Sequence, residues 1–408
     1  MRTESRGFTF ILASIAALTS LSIDMSLPSM PAIEHDFTQV AGQGSLTMSF
    51  FLAGYALTPL AGGPLADRFG RRPVLLGSLA LFAISAFVCS ISGSFPMLLV
   101  CRLMQGCASG IATTLPLAII RDLLEGSAAR QRMSEVTVIN NIMPLLAPII
   151  GSWMMLLGSW RLLFAAQGLF AVTIGSILLL DFKETLSYEK RSPLRPKALV
   201  NNYLHLIGNR TFLGFALING LTFACIFSFI SVSPLLLIQR MGVDHYEYAL
   251  MFAAIAAGNV LGAFTSALLN RKQVSVHRII TSGLALMAAA SLTACALQLS
   301  GYHRPAAVLP VIFAVLFGFG LISPSVTVGA LAQVPNLAGS GSGGLRSIFM
   351  AFGSGTSAWL ATFCARHLNY SEVATTLTML VEVVVAWSLY AVLLRDTQVN
   401  MLLEPRRV

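Results

Sequence analysis

The chain has 408 residues, of which 56% are hydrophobic and only 11% are charged, and its mean hydropathy is +0.77. Soluble domains carry about 25% charged residues, so this composition excludes an ordinary soluble enzyme or binding domain. Lys and Arg (26) exceed Asp and Glu (17), which gives a net charge of +9, but the basic residues are scattered between apolar runs. No nucleic-acid partner is therefore expected.

Apolar segments of about 20 residues recur along the chain, and each is long enough to cross a bilayer as a helix. The first segment continues well past the length of a signal peptide, so it is kept as a span. The sequence thus predicts an all-α integral membrane protein. Its twelve spans are placed at 8–33, 41–65, 73–93, 95–120, 134–157, 161–181, 212–237, 246–269, 276–299, 305–332, 338–365 and 373–394.

The basic residues predict the orientation of these spans. If both termini are cytoplasmic, 20 of the 26 Lys and Arg residues lie on the cytoplasmic side, four lie in outer loops and two lie within spans. Positive charge is retained on the cytoplasmic side of membrane proteins, so we predict a multi-pass protein with both termini in the cytoplasm.

The longest polar break, at 182–211, divides the twelve spans into six and six. We therefore predict an N-terminal six-helix bundle (1–181), a cytoplasmic linker (182–211) and a C-terminal six-helix bundle (212–408). Two six-helix halves related by a pseudo-two-fold axis are typical of duplicated transporters, in which the substrate site lies between the halves at mid-membrane.

The loop between the second and third spans reads GPLADRFGRR, at 63–72. Gly63 and Gly70 are suited to close backbone approach and a tight turn. Asp67 lies at a helix end, and three arginines are placed to pair with it or with a neighbouring helix end: Arg68, Arg71 and Arg72. These residues predict a gating latch at the cytoplasmic face. The pattern resembles the G-x-L-A-D-R-x-G-R-R/K loop of the major facilitator superfamily.

Two further motifs support this resemblance. Residues 102–106 (RLMQG) in the fourth span resemble the R-x-x-Q-G pattern of the superfamily. Residues 144–151 (PLLAPIIG) in the fifth span resemble the antiporter motif of proton-coupled drug exporters, in which Pro148 and Gly151 are expected to act in gating. Three glycines of that motif are replaced here, by Met143, Ala147 and Ser152.

Several short words resemble the Bcr/CflA drug-resistance branch of the superfamily: SIDMSLPSMP at 22–31, Trp160-Arg161, Glu184-Thr185-Leu186 and AGSGS at 338–342. The resemblance implies a proton-coupled exporter of small amphipathic compounds, of the multidrug, bicyclomycin or chloramphenicol type, in the bacterial inner membrane. The alternative is a dedicated exporter of a metabolite or siderophore on the same fold, which Arg346 and the weakened antiporter motif favour.

The sequence does not predict an enzyme or a cofactor. Residues 339–344 (GSGSGG) match G-x-G-x-x-G, but Leu345-Arg346 stands where a phosphate loop needs Lys-Ser/Thr, so helix packing is the better interpretation. The cysteines and histidines lack metal-ligand spacing, and no metal site is expected. The expected energy source is a proton gradient, and the expected partners of this monomer are a small-molecule substrate, protons and lipid.

Four ionisable residues fall inside predicted spans: Asp24, Arg102, Arg346 and Glu382. Each needs a partner or a task, because a charge at mid-bilayer costs a few kcal/mol. Asp24 and Arg102 lie roughly 13 and 10 Å from the outer ends of their spans at helical rise, so we expect them to form an ion pair. The resemblance implies that this pair couples proton movement to transport; a purely structural pair is the alternative.

Arg346 and Glu382 are predicted to form a second buried pair, or Arg346 faces the cavity and attracts an anionic or zwitterionic substrate. In the family the fifth span lines the cavity, which makes Asn140 and Asn141 candidate substrate-binding residues. Phe223 and Phe227 are further candidates on the seventh span. Four other polar residues in or near spans line a cavity or bond a neighbouring helix: Gln43, Gln167, Asn219 and Asn259.

Overall fold

The structure, a computed structural model, describes residues 6–191, 196–301, 305–367 and 371–394, and within these ranges it contains helices and no strands. The chain divides into two compact units. The first comprises residues up to 38 together with 46–197, and the second comprises residues 39–45 and those from 198 onward. The predicted cytoplasmic placement of the two termini concerns residues outside the described ranges.

The first unit contains ten helices within the described ranges. They are α1 (Arg6–Ala16), α2 (Leu18–Ile23), α3 (Met30–Asp36), α4 (Leu46–Leu57), α5 (Pro59–Phe69), α6 (Arg71–Ser90), α7 (Phe95–Ala112), α8 (Leu115–Leu123), α9 (Gly126–Leu157) and α10 (Trp160–Asp181). Two 3₁₀ segments accompany them, at Asp24–Ser29 and Tyr188–Lys190.

Helix α11 (Pro196–Gly208) begins at the end of the first unit and continues into the second. The other helices of the second unit are α12 (Arg210–Ser233), α13 (His245–Arg271), α14 (Val276–Leu299), α15 (Pro305–Ala332), α16 (Ala338–Arg366) and α17 (Ser371–Leu393). Further helical turns lie at Gln43–Ser45, Pro234–Arg240 and Pro335–Leu337.

The described residues provide ten helices long and apolar enough to cross a membrane, or up to twelve if each of two bent helix pairs is one span. Their surfaces carry many exposed large apolar side chains, and Leu180 and Val392 are exposed at 84% and 80%. Such surfaces are stable against lipid and not against water. The predicted all-helical membrane fold is confirmed.

The first two spans are the bent pairs. The pieces Gly7–Ala16 and Leu18–Asp36 meet at 48°, and Gln43–Leu57 and Pro59–Phe69 meet at 47°. Proline explains the second bend, because Pro59 starts α5 and cannot donate a backbone hydrogen bond to the residue four positions earlier. The first bend lies at Ala17, and Pro28 lies further along the chain, inside the 3₁₀ segment that begins at Asp24.

One predicted span boundary is wrong, and the predicted linker contains a helix. The fifth span was predicted to begin at 134, but α9 begins at Gly126. Its charged first turns stay helical because side chains three and four residues apart support one another: Arg132 Nη1 lies 2.9 Å from Glu135, and Gln131 also donates to Glu135. The predicted linker is likewise more than a connector, since it contains the 13-residue helix α11.

Glycines make the closest helix contacts in both units. A Cβ on Gly106 of α7 would collide with the backbone oxygen of Phe51 in α4, and one on Gly262 of α13 would collide with that of Phe317 in α15. Small residues allow helix backbones to approach closely within membranes. The Gly106/Gly110 and Gly258/Gly262 pairs therefore serve close helix packing.

Candidate functional site

The first span is interrupted where its buried acid lies. Helix α2 ends at Ile23, and Asp24 is the first residue of the 3₁₀ segment. The Asp24 side chain is buried, with 8% of its surface exposed, and the Ser20 hydroxyl donates to its carboxyl group. A 3₁₀ stretch within a longer helix often marks a hinge. The structure thus places a titratable group where this span changes from α-helix to 3₁₀ geometry.

Arg102 of α7 is fully buried beside this interruption. Its Nη2 donates to the Ser22 carbonyl oxygen at 3.1 Å, and its Nε donates to that of Thr47 at 3.3 Å. Its Nη1 donates to Gln105 Oε1 at 2.7 Å. The guanidinium carbon also lies 4.6 Å from the ring centre of Phe51. The side chain is therefore held by oxygen dipoles and an aromatic face.

Two glutamines extend this network to the sixth span. Gln105 Nε2 donates to Gln167 Oε1 at 2.8 Å, and Gln167 Nε2 donates to the Leu21 carbonyl oxygen at 3.3 Å. The spacing in R-x-x-Q-G now has a physical reason, because residues three apart share one helix face. Arg102, Gln105 and Gln167 together hold the adjacent carbonyls of Leu21 and Ser22, just before the break. We call this group the Arg102 network.

The predicted ion pair between Asp24 and Arg102 is wrong for this structure. Among the described residues, the donors of Arg102 go to Ser22, Thr47 and Gln105, and the hydroxyl of Ser20 is the side-chain partner of Asp24. The depth argument assumed a straight first span with a uniform rise, whereas that span is bent and changes to 3₁₀ geometry at Asp24. The coupling roles of both residues stay predictions.

The antiporter-like segment of α9 packs directly on the interruption. A Cβ on Gly151 would collide with the backbone oxygen of Met25, the residue after Asp24. Pro148, one turn earlier, is buried within α9. Of the predicted gating residues in this motif, Gly151 thus allows the backbone that bears Asp24 to approach α9. Their role in gating itself stays a prediction.

The predicted latch centres on Arg71. Its Nη1 lies 2.6 Å from Asp67, one turn earlier in the chain, and its Nε lies 2.9 Å from Asp122 at the end of α8. Arg72 donates to the Leu179 carbonyl oxygen in the last turn of α10 at 2.7 Å. Arg71 and Arg72 therefore make the two kinds of contact that the sequence predicts. Arg68 is exposed and makes no ion pair within the described ranges.

Glu184, which follows α10, caps the N-terminus of α6. Its Oε1 accepts from the backbone N–H of Arg71 at 2.9 Å, and its Oε2 accepts from that of Arg72 at 3.2 Å. A carboxylate is stabilised there by the unpaired N–H groups and by the helix dipole. Gly70 adopts φ +103°, and a Cβ at this position would collide with the Glu184 carboxylate. Glycine is thus required at position 70 for two reasons: its backbone has a positive φ, and the Glu184 carboxylate leaves no room for a Cβ.

The expectation of close approach at Gly63 is wrong. A Cβ at Gly63 would meet no atom within 4 Å, whereas one on Gly62 would lie 3.1 Å from Thr114 Oγ1 and 3.4 Å from the Ile111 Cα. The two glycines are adjacent, and the sequence alone does not show which of them faces the neighbouring helix.

We predict that Gly70→Ala lowers the free energy of unfolding by about 2 kcal/mol, because alanine strains this region of backbone conformation and displaces Glu184. Gly63→Ala is the matched control and should leave stability unchanged or slightly raised, since alanine is the better helix former. The measurement is the thermal unfolding temperature of each variant, monitored by the reaction of maleimide with Cys89, which is buried in the folded protein. Equal unfolding temperatures for the two variants would contradict the assigned roles.

In the second unit, the predicted pair of Arg346 and Glu382 is also wrong. The Glu382 carboxylate accepts from Ser228 Oγ at 2.8 Å and from Thr356 Oγ1 at 2.7 Å, and Arg346 is not among its partners. Glu382 is buried on α17, whereas Arg346 is exposed on α16. Two hydroxyl donors from α12 and α16 satisfy the acid in place of the predicted arginine.

The predicted substrate-binding residues fall in both units. On α9, Asn140 is half-buried and Asn141 is exposed. Phe223 and Phe227 are buried at 8% and 5% exposure, in an aromatic cluster with Phe319 and Phe349. The ring centres of Phe223 and Phe349 lie 3.5 Å apart. In this structure the two phenylalanines are packing residues, and their contact with a substrate stays a prediction.

Sequence reasoning missed two participants in the latch. Asp122 is one of several charged residues after the fourth span, and nothing in its spacing links it to Arg71. Glu184 belongs to a word that resembles the drug-resistance branch, but only the structure shows it capping α6. In the same way, Trp160 and Arg161 of another such word both donate to Asp36, at 2.8 and 2.5 Å.

Known proteins resemble the chain over most of its length. A family model described as Major Facilitator Superfamily matches residues 12–358. The uncharacterized MFS-type transporter YdgK of Bacillus subtilis is 29% identical over 354 residues, which cover 86% of this chain and 87% of that protein. The multidrug resistance protein MdtL of Escherichia coli strain HS is 32% identical over 259 residues, which cover 63% of this chain and 65% of that protein.

Solved structures share the fold at low sequence identity. A bacterial homologue of the human lysosomal transporter Spinster matches with a TM-score of 0.74 and 16% identity, over 97% of this chain and 99% of that one. A D-xylose–proton symporter matches with a TM-score of 0.70 and 15% identity, over 94% and 98% of the two chains. At this identity the likeness establishes the arrangement of helices.

Proposed function

The chain belongs to the Major Facilitator Superfamily, and from this premise we propose that it exports small amphipathic compounds across the bacterial inner membrane in exchange for protons, by alternating access. Within the superfamily we place it in the Bcr/CflA drug-resistance branch. The observation that carries the proposal is a buried acid, Asp24, at the break of the first span, enclosed by the Arg102 network and by the antiporter-like segment of α9.

In this proposal Asp24 carries the coupling proton. A buried carboxyl group with no cation among its described partners is more stable when neutral, so burial favours the protonated state of Asp24. Loss of the proton creates a negative charge close to the carbonyl that Arg102 holds. That charge competes with the Ser22 and Thr47 carbonyls for the guanidinium, and the break in the first span allows the backbone to follow. Proton binding and release thus favour different arrangements of the first unit.

One further observation supports export of drug-like compounds: the relative named for multidrug resistance aligns with 63% of this chain. We propose a monomer with both termini in the cytoplasm, powered by the proton gradient without a bound cofactor.

A growth panel in a bacterial host that lacks its own efflux pumps tests this function. We expect expression of the chain to raise resistance to several unrelated compounds among chloramphenicol, bicyclomycin, cationic dyes and fluoroquinolones. A protonophore should abolish the reduced accumulation of those compounds. An empty vector is the control, and membrane fractions verify expression. If cells that contain the protein in their membranes are as sensitive to every compound as cells with the empty vector, multidrug export is refuted and a dedicated metabolite or siderophore carrier is favoured.

A further inference from the structure

The first unit contains an apolar cavity of about 330 Å³ between the first, third, fifth and sixth spans. Sites for small molecules have volumes of roughly 300–1,000 Å³, so this cavity is at the lower end of their range. None of its lining side chains carries a formal charge, and the two polar ones are Ser14 and Gln167. The cavity therefore suits an uncharged molecule.

Gln167, the polar side chain at the floor of the cavity, has one hydrogen-bond donor that is unused within the described part of the chain. Gln167 is buried, with 3% of its surface exposed. Its Oε1 accepts from Gln105, and its amide nitrogen donates once, to the Leu21 carbonyl oxygen. A side-chain amide carries two hydrogens, and within the described ranges the second has no acceptor. This hydrogen is available to an acceptor on a bound molecule.

The walls of the cavity are deep and adaptable. Leu18 and Phe82 at its floor are 1% and 0% exposed, whereas Phe10 and Ile150 at its rim are 65% and 41% exposed. The cavity thus opens on the apolar surface of the spans. Three unbranched, flexible methionines adjust its shape: Met25, Met143 and Met154. A molecule that dissolves in lipid can enter from the bilayer.

We propose that this cavity binds an uncharged aromatic or aliphatic molecule with one hydrogen-bond acceptor, which takes the second amide hydrogen of Gln167. The proposal rests on the proposed export function and names one class of its substrates, the uncharged ones. A molecule bound there contacts Met25, which follows Asp24 in the 3₁₀ segment. Through Gln167 and Gln105 it is also joined by hydrogen bonds to Arg102. Binding is therefore placed to influence the segment that carries the proposed proton site.

Photolabelling with benzophenone tests the site in the full-length protein in lipid nanodiscs. Benzophenone is uncharged and aromatic, its ketone is a hydrogen-bond acceptor, and on illumination it reacts readily with methionine. Met25 is 4% exposed and is reached from the cavity, whereas Met104 on α7 is 40% exposed and is reached from lipid. Mass spectrometry of both methionines separates binding in the cavity from partitioning into the bilayer.

We expect saturable labelling of Met25 and non-saturable labelling of Met104. Ala166→Phe fills the cavity and should reduce labelling of Met25 at least tenfold, whereas Ala165→Phe, at the adjacent position outside the lining, should not. Unlabelled diphenylmethane, which lacks the acceptor, should compete about fivefold less well than benzophenone, the factor expected for one hydrogen bond. The competition uses the wild-type protein, so it remains informative if Ala166→Phe fails to fold.

Three results would overturn the proposal. The first is labelling of Met104 without labelling of Met25, and the second is equal labelling of Met25 in the two alanine variants. The third is labelling of Met25 only after lipid has been stripped, which would assign the cavity to an acyl chain. Saturable labelling of Met25 without any transport would instead refute the proposed export and leave the site intact.

Discussion

Replacing Asp24 by asparagine will abolish proton-coupled transport while the protein still inserts and folds. The asparagine side chain has nearly the same shape and can still accept from Ser20, but it cannot take up or release a proton. We expect a loss of about 100-fold or more in coupled transport, as for removal of a group that transfers a proton. Everted membrane vesicles with an acidified lumen measure this directly, because drug entry releases lumenal protons and restores acridine orange fluorescence.

Asp36→Asn is the matched control for this experiment. Asp36 lies on the same span and binds Trp160 and Arg161 at the protein surface, away from the break. We expect vesicles with this variant to restore acridine orange fluorescence at close to the wild-type rate. Wild-type proton release by the Asp24→Asn protein would remove Asp24 from the mechanism, whatever the control shows.

Replacing Arg102 by lysine should have the second largest effect, although the positive charge is retained. The guanidinium donates to three oxygens in a fixed fork and lies against the Phe51 ring, whereas an ammonium is a compact, strongly hydrated charge that cannot reproduce this geometry. At least one buried oxygen then loses its donor. We expect the free energy of unfolding to fall by about 2–4 kcal/mol and coupled transport to fall by about tenfold or more.

Denaturant unfolding in mixed micelles measures the loss of stability, with Arg161→Lys as the control. Like Arg102, Arg161 lies over an aromatic ring, but it binds the carboxylate of Asp36 and is partly exposed at the surface. Exposed pairs contribute about 0–1 kcal/mol, so this variant should unfold almost like the wild type. If the Arg102→Lys and Arg161→Lys proteins are equally stable, the Arg102 network is not a structural support of the first span.

The positions of the buried charges could be predicted from the sequence, but their partners could not. A charge in an apolar run is visible in the sequence, which identifies Asp24, Arg102 and Glu382. The oxygens that Arg102 binds are mostly backbone carbonyls, which every residue carries, so no residue type marks them. The hydroxyls that hold Glu382 belong to residue types common throughout the spans. The prediction therefore paired opposite charges with each other. In the structure, the partners of these charges are backbone carbonyl groups, an amide and hydroxyl groups.

In the latch, too, local contacts could be predicted from the sequence and distant ones could not. Its basic loop is a contiguous motif, so the Asp67–Arg71 contact follows from a spacing of four residues along one stretch of chain. Asp122 and Glu184 come from sequence positions 51 and 113 residues after Arg71. A single sequence holds no record of contacts at such separation. The apolar spans, by contrast, are local features of hydropathy, which explains why the fold was predictable and the long-range contacts of the latch were not.

The cap that Glu184 places on α6 also sets an order of events during synthesis. Because the carboxylate comes from beyond the sixth span, α6 enters the membrane with its first N–H groups lacking this partner. The cap forms only after the ribosome has translated 113 further residues, and therefore only after α10 has been synthesised. A split gene cut at the end of α10 would separate the carboxylate from its helix. A cut after Arg191 keeps the carboxylate and its helix on one polypeptide and leaves α11 whole.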